Sequence, residues 1–207
     1  MSKSKKKHFL ITAGGTREYI DPVRFISNAS SGRMGYALAD AAKAAGHKVT
    51  LISASDLQPG VGIDFVAVES AADMFEAVTK FFAKCDCLIM AAAVSDYAPV
   101  GAGKVKIKKG KTQLLLKLKP TIDILKWAGK HKKAGQFVVG FALEDKELRK
   151  NAEKKLTGKN LDMIIANEPD SISAERTTVH IKTPNSKWLK IPSASKTDIA
   201  RQIIRRI

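Results

Sequence analysis

The chain predicts an α/β fold, a doubly wound, mostly parallel sheet carrying a projecting antiparallel hairpin arm. Three observations predict it. Short apolar runs alternate with segments whose apolar residues recur at helical period. The run 87–93 (Cys-Leu-Ile-Met-Ala-Ala-Ala) is apolar throughout, as a strand covered on both faces must be. The rhythm first breaks at 104–119, where lysines alternate with apolar residues around Lys109-Gly110-Lys111, a hairpin signal. With right-handed crossovers the arrangement is Rossmann-like.

The elements follow in order. Residues 8–13 (His-Phe-Leu-Ile-Thr-Ala) form a buried first strand. Helix 34–45 presents Met34, Leu38, Ala41, Ala42 and Ala45 as a core-facing stripe, and Gly46 ends it. Strands are predicted at 48–53 and 64–68, a helix at 71–83, and the central strand at 87–93. The basic hairpin 104–119 precedes helix 121–134, strand 136–143, helix 146–156 and strand 161–166. A second hairpin joins 177–181 to 188–191 through Pro184-Asn185-Ser186, and helix 197–206 closes the fold. With no internal repeat or long linker, the 207 residues read as a single domain, with 1–7 a basic flexible tail and 104–119 an arm or flap.

Composition narrows the function classes. At 44% hydrophobic and 27% charged, the chain is globular and not disordered. It lacks an apolar run of about 18 residues, so no membrane partner is expected. The Lys/Ser-rich start lacks the apolar centre of a signal peptide, which makes the cytoplasm the expected location. Cys85 and Cys87 are one residue apart, a spacing that suits neither a disulfide nor a zinc knuckle. They read as small buried residues, and no metal ligands are assigned. The net charge of +16 invites nucleic-acid binding, yet only 6% of residues are aromatic and the lysines are not interleaved with rings. The same charge steers small phosphorylated anions.

The connection from 14 to 33 is the chief candidate site. Strand-to-helix links usually take roughly 2–6 residues, and this polar one is far longer. In a doubly wound sheet it lies at the carboxyl ends of the strands, where ligands bind. Gly14, Gly15 and Thr16 follow the first strand; Ser30, Ser31 and Gly32 open the helix, whose free N–H groups favour an anion. Ser30 or Ser31 could equally cap that helix. Neither a Gly-x-Gly-x-x-Gly fingerprint nor a P-loop is present. Arg24 could neutralise a phosphate or carboxylate, and Asn28 offers donor and acceptor to a reacting carbonyl. After the fourth strand, Ala92 and its neighbours let a planar or sugar group approach, and Asp96 could accept from its hydroxyls. In the arm, strand alternation would put Lys106 and Lys108 on one face, either to close over a triphosphate or to blunt a sheet edge. Lys155 and Lys159 lie four apart beside the same region.

Several of these stretches also resemble one family, phosphopantothenoylcysteine synthetase (phosphopantothenate–cysteine ligase) in its bacterial, CTP-dependent form. The matching segments are Ile-Thr-Ala-Gly-Gly-Thr-Arg-Glu with Asp-Pro-Val-Arg-Phe-Ile-Ser-Asn-x-Ser-Ser-Gly-x-Met-Gly, then Ala-Ala-Val-Ser-Asp-Tyr, Lys-Ile-Lys-Lys, Val-Gly-Phe-Ala-Leu-Glu and Lys-Asn-Leu-Asp-Met-Ile-Ile-Ala-Asn. They stand in family order and cover nearly the whole chain.

The resemblance implies a two-step ligase of coenzyme A biosynthesis. The carboxylate of 4′-phosphopantothenate attacks the α-phosphorus of CTP, and the amine of L-cysteine then displaces CMP. CTP is a co-substrate, and Mg2+ travels with its phosphates. By the same resemblance, Asn28 holds the acyl-cytidylate and Arg24 acts beside it, both touching substrate. Lys106 is the flap lysine of the first step, with Lys108 the alternative. Asp96, Ile122, Asp123, Ile124, Leu125, Phe141, Lys155 and Lys159 match nucleotide contacts. Two departures stand out: Ile122 replaces a usual proline, and Gly15 stands where many members have proline. A homodimer joined through the arms is implied. So is a stand-alone form whose product goes to a separate decarboxylase. The alternatives are a nicotinamide-dependent oxidoreductase on the same fold and a basic nucleic-acid-binding protein.

Overall fold

The computed structural model describes residues 5–167 and 174–207. Of the tail expected at 1–7, residues 1–4 lie outside the described residues, while Lys7 is anchored: its carbonyl accepts from the Lys48 N–H at 2.9 Å.

In chain order the elements are β1 (His8–Ala13), β2 (Arg17–Tyr19), β3 (Phe25–Ser27), α1 (Arg33–Ala44), β4 (Lys48–Ser53), β5 (Asp64–Ala67), α2 (Ala71–Phe82), β6 (Cys87–Met90), β7 (Tyr97–Pro99), β8 (Leu118–Pro120), α3 (Ile124–His131), β9 (Phe137–Leu143), α4 (Leu148–Gly158), β10 (Met163–Asn167), β11 (Arg176–Lys182), β12 (Leu189–Ser195) and α5 (Lys196–Ile204). The main sheet runs β12-β11-β10-β9-β6-β1-β4-β5. Strands β1, β4, β5, β6, β9 and β10 are parallel; β11 and β12 add an antiparallel pair at one edge. Taken alone, the parallel strands have the spatial order 3-2-1-4-5-6 of the Rossmann sheet. The order reverses between β1 and β6, so a crevice opens at their carboxyl ends.

Side-chain alternation along the strands divides the core. Phe9, Ile11, Leu51, Ile89 and Ile165 pack with α1 and α5 on one face. Leu10, Ile52, Leu88, Val138 and Ile164 pack with α2, α3 and α4 on the other. All ten are buried, each contributing roughly 1.5–3 kcal/mol of transfer free energy. Cys85 and Cys87 are buried free thiols; burial pushes Cys85 up to about 12 and Cys87 well above its ordinary value. Among the described residues no helix is long and apolar enough to cross a membrane.

The arm differs in detail from its sequence reading. Its antiparallel pairing is at the base, Tyr97–Pro99 against Leu118–Pro120, and no strand runs through 104–117. Lys106 and Lys108 therefore do not share a strand face. Alternation alone does not make a strand where no facing layer buries the apolar positions: Val105, Leu114 and Leu115 are exposed. The long first connection holds a short ribbon, β2 against β3, that no periodicity announces. Helix α3 is shorter than 121–134, because Asp123 caps it by accepting from the Lys126 N–H at 2.9 Å.

Candidate active site

A cavity of about 530 Å³ lies at the carboxyl ends of the central strands, over the switch point. Three connections form it: the first loop, the segment after β6, and the entry to α3. A hydrogen-bond chain fastens them together. The Gly14 carbonyl accepts from the Ala93 N–H at 2.8 Å, and the Ala93 carbonyl from Thr16 N–H at 3.3 Å. The buried Thr16 hydroxyl accepts from the Ser95 N–H at 2.9 Å, and the Thr121 hydroxyl donates to the Ser95 carbonyl at 2.5 Å.

Helix α1 points its N-terminus at this cavity. Its N-cap is Gly32, in the left-handed region at φ 78°, with no side-chain cap and no acidic residue in the first turn. Ser30 does not cap α1; its hydroxyl accepts from the Gly32 N–H at a long 3.4 Å. Helix α2 has a Ser70/Asp73 capping box, α3 and α5 are capped by Asp123 and Ser195, and α4, like α1, has no side-chain cap. At the start of α1 the backbone donors and the positive end of the dipole are left facing an open site.

Asn28 lines the cavity, its amide donating to the Ala93 and Val94 carbonyls at 3.4 and 3.3 Å. These long bonds orient the side chain loosely and leave its oxygen available. On the opposite face, Lys155 donates to the Phe141 carbonyl at 2.7 Å. Burial, then the charge of Lys159, push its ammonium below the ordinary value. Lys159 pairs with Asp123 at 2.7 Å. Burial works to raise the Asp123 carboxyl, but the bonds from Lys159 and from the Lys126 N–H outweigh it and hold it low. The cavity thus offers an anion-seeking end at α1, lysines at α4 and carboxylates at Asp96 and Asp123.

Of the residues singled out from sequence, Asn28, Ser30, Ser31, Gly32, Ala92, Asp96, Ile122, Asp123, Ile124, Leu125, Phe141, Lys155 and Lys159 line this one cavity. Gly14, Gly15, Arg24 and Lys106 are not among its lining residues. Gly15 shapes the loop, since a Cβ there would sit 2.5 Å from the Asn28 carbonyl oxygen. Arg24 reaches the arm. Its guanidinium donates to the Asp21 carboxylate at 2.5 Å and to the Ile107 carbonyl at 2.6 Å, while Asp21 accepts from the Ile107 N–H at 3.0 Å. The Arg24 guanidinium, helped by the N–H groups of Val23, Ile107 and Arg24, holds the buried Asp21 carboxyl well below the usual range. Lys106 is the neighbour of that latch.

The cavity also contains residues that sequence reasoning missed, among them Arg33, Asn167, Thr177, Val179 and Lys196. The last three come from β11 and the start of α5, elements brought to the site only by the sheet order. Among the described residues no group of three or more His, Cys, Asp or Glu side chains could hold a metal ion.

Comparison with known proteins follows the same outline. The chain matches the family described as the DNA/pantothenate metabolism flavoprotein C-terminal domain over residues 4–207. It is 44% identical over 207 residues to the coenzyme A biosynthesis bifunctional protein CoaBC of Bacillus subtilis (strain 168), covering 97% of this chain and 51% of that protein. It is 45% identical over 207 residues to a cysteine/cysteine sulfinic acid decarboxylase of an unknown prokaryotic organism, covering 97% and 58%. The chain spans about half the length of the curated relatives it matches. The crystal structure of the C-terminal domain of CoaBC superposes with a TM-score of 0.83 at 38% identity, covering 100% of this chain and 96% of that one. A Cab2 variant complexed with phosphopantothenate-cysteine superposes with a TM-score of 0.81, covering 97% and 86%; at 19% identity it shares the fold.

Proposed function

The chain belongs to the family of the DNA/pantothenate metabolism flavoprotein C-terminal domain, and on that premise we propose that it joins 4′-phosphopantothenate to L-cysteine in coenzyme A biosynthesis. A carboxylate oxygen of phosphopantothenate attacks the α-phosphorus of CTP and pyrophosphate leaves. The cysteine amine then attacks the acyl carbon of the cytidylate, the C–O bond breaks, and CMP leaves with the amide formed. The match to the CoaBC C-terminal domain along its whole length supports placing this activity in the chain.

The observation that carries the reading is the convergence at the switch point. An uncapped helix N-terminus, two lysines and a side-chain amide line one cavity there. The N–H groups at the start of α1 bind phosphate oxygens. Lys155 and Lys159 hold the nucleotide on the other face, and an arriving phosphate offsets the burial of the Lys155 ammonium. Phe141 and the entry to α3 border the base. Asn28 steadies the acyl oxygen as its carbonyl is attacked. The arm, latched through Asp21 and Arg24, carries Lys106 towards the reacting phosphorus.

Magnesium would come with the triphosphate. It binds mainly through phosphate oxygens and water and needs only one or two protein carboxylates, for which Asp96 and Asp123 are the cavity's donors. Bound there, it would neutralise phosphate charge. The protein works in the cytoplasm in this reading, as a homodimer, and hands its product to a decarboxylase. The test is pyrophosphate release with phosphopantothenate and each of the four nucleotides, without cysteine. Release with CTP alone is the expected result. No release with any nucleotide would overturn the proposal.

A further inference from the structure

Strands β1 and β6 pair from Phe9 and Cys87 to Thr12 and Met90, and there the ladder ends. Past Met90 the chain enters the segment that borders the cavity. Its N–H groups still run to the first connection, but hydroxyls now stand in for some of the carbonyls. The Ala92 N–H donates to the Thr12 hydroxyl at 3.1 Å, the Ala93 N–H to the Gly14 carbonyl at 2.8 Å and the Ser95 N–H to the Thr16 hydroxyl at 2.9 Å. Thr12 and Thr16 are fully buried, and so is the bond from Ser95. A buried N–H needs a partner, so the Thr16 hydroxyl settles how the backbone passes Ser95.

That constraint reaches Asn28. The Ser95 N–H and the Val94 carbonyl belong to one planar trans peptide unit, so they point in opposite directions. Fixing the N–H on Thr16 fixes the carbonyl too, and that carbonyl accepts from the Asn28 amide at 3.3 Å. The same amide also donates to the Ala93 carbonyl at 3.4 Å, which takes the Thr16 N–H at 3.3 Å. Thr16 thus grips both carbonyls on which Asn28 rests, one with its own amide and the other through its hydroxyl. Ser95 is held from the far side as well, since the Thr121 hydroxyl donates to its carbonyl at 2.5 Å. The Asn28 bonds are long, so where these two carbonyls stand decides where the side chain points.

We infer that Thr16 is a positioning residue for Asn28, acting through the peptide between Val94 and Ser95. This rests on the ligase reading above for the step that Asn28 serves. Thr16 is not among the lining residues of the cavity, so its effect reaches the reacting carbonyl through Asn28. Without the hydroxyl the Ser95 N–H loses its acceptor, the peptide turns, and the Val94 carbonyl swings away from the Asn28 amide. A donor aimed at a developing oxyanion loses much of its value when it is misplaced, about 10²-fold in rate for about 1 Å.

The experiment compares Thr16→Val, which keeps the shape and removes the acceptor, with Thr16→Ser, which restores it. Thr50→Val is the control. It removes another buried threonine hydroxyl, one that bonds the His8 Nε2 at 2.9 Å, outside the cavity lining. Rapid-quench kinetics follows the two half-reactions, calorimetry follows CTP binding, and NMR of the 15N-labelled full chain follows the Asn28 side-chain amide. Thr16→Val should slow amide formation by about tenfold or more. CTP affinity and pyrophosphate release should stay at the wild-type level, and Thr16→Ser should recover most of the loss. The Asn28 side-chain signals should shift in Thr16→Val and not in Thr50→Val. In an Asn28→Asp background Thr16→Val should add no further slowing, because residues that act through one another are not additive. If Thr16→Val does not fold, Thr121→Val, which releases the other end of Ser95, carries the same expectations for the Asn28 signals and the amide step. Amide formation at the wild-type rate, or slowing that adds to that of Asn28→Asp, overturns the inference. An equal slowing in Thr50→Val also overturns it and makes the effect one of stability. The two readings fail separately. Asn28 signals that move with Thr16→Val in a chain that makes no amide keep the positioning role and remove the ligase. CTP-dependent amide formation that is indifferent to Thr16→Val does the reverse.

Discussion

Asn28 and Lys106 divide the proposed chemistry between them. Asn28 faces the cavity with a loosely held amide, so its replacement should act on the step in which an acyl oxygen gains charge. Asn28→Asp is expected to slow amide formation by about 10²–10³-fold. Pyrophosphate release before cysteine addition should stay largely intact, and rapid-quench kinetics separates the two. Lys106 lies outside the cavity, beside the Asp21–Arg24 latch. Lys106→Gln should slow pyrophosphate release itself, by about 10²-fold or more, because it removes charge from the first transition state. The sequence could name both residues and could not say that one lines the cavity while the other waits on the arm. Residues it missed, Arg33 and Lys196 among them, line the cavity and carried no motif.

At the scale of elements, the arm and the start of α1 set how the site is assembled. The arm has no continuous ladder through 104–117, so the Asp21 latch is what ties it to the first loop. Asp21 is held low in the folded state. Its contribution is therefore complete above the ordinary carboxylate value of about 3.9, and is lost as the pH falls through the lowered folded value. Asp21→Asn should lower Tm at neutral pH, and the gap to the wild type should narrow below about pH 4. Protease cleavage within 104–117 should also quicken in the variant. Gly32 is the other critical point. At φ 78°, with a Cβ that would come 2.9 Å from the Ser55 Cβ, it accepts no side chain without strain. Gly32→Ala should cost about 1–2 kcal/mol of stability by urea denaturation, with a larger proportional loss of nucleotide affinity.

For the molecule as a whole, the sheet was legible because its signal is dense. Residues 48–53 and the apolar run from Cys87 announce themselves by composition, and the parallel order follows from alternation with helices. The arm was half legible. An antiparallel element in this region was readable, but its pairing at Tyr97–Pro99 and Leu118–Pro120 was not, because alternation reports a pattern and not whether a partner layer exists. Strands β2 and β3 are too short for periodicity to show. The site was legible where residues are close in sequence, as in the loop from Asn28 to Gly32. It was hidden where topology brings distant elements together, as with Thr177 and Lys196. The glycine fingerprint of dinucleotide enzymes is absent, and Asp56, the acidic residue after β4, pairs with Arg17 at 2.8 Å. Neither feature favours the nicotinamide alternative, which suits the phosphate and acyl roles proposed for the switch point.

The central claim is that the substrate carboxylate is activated at the α-phosphorus of CTP. It is tested by running the full reaction on phosphopantothenate labelled with oxygen-18 in its carboxylate and weighing the products by mass spectrometry. The account predicts one labelled oxygen in CMP, one retained in the amide and none in pyrophosphate. Label in pyrophosphate or inorganic phosphate, with CMP unlabelled, would contradict it.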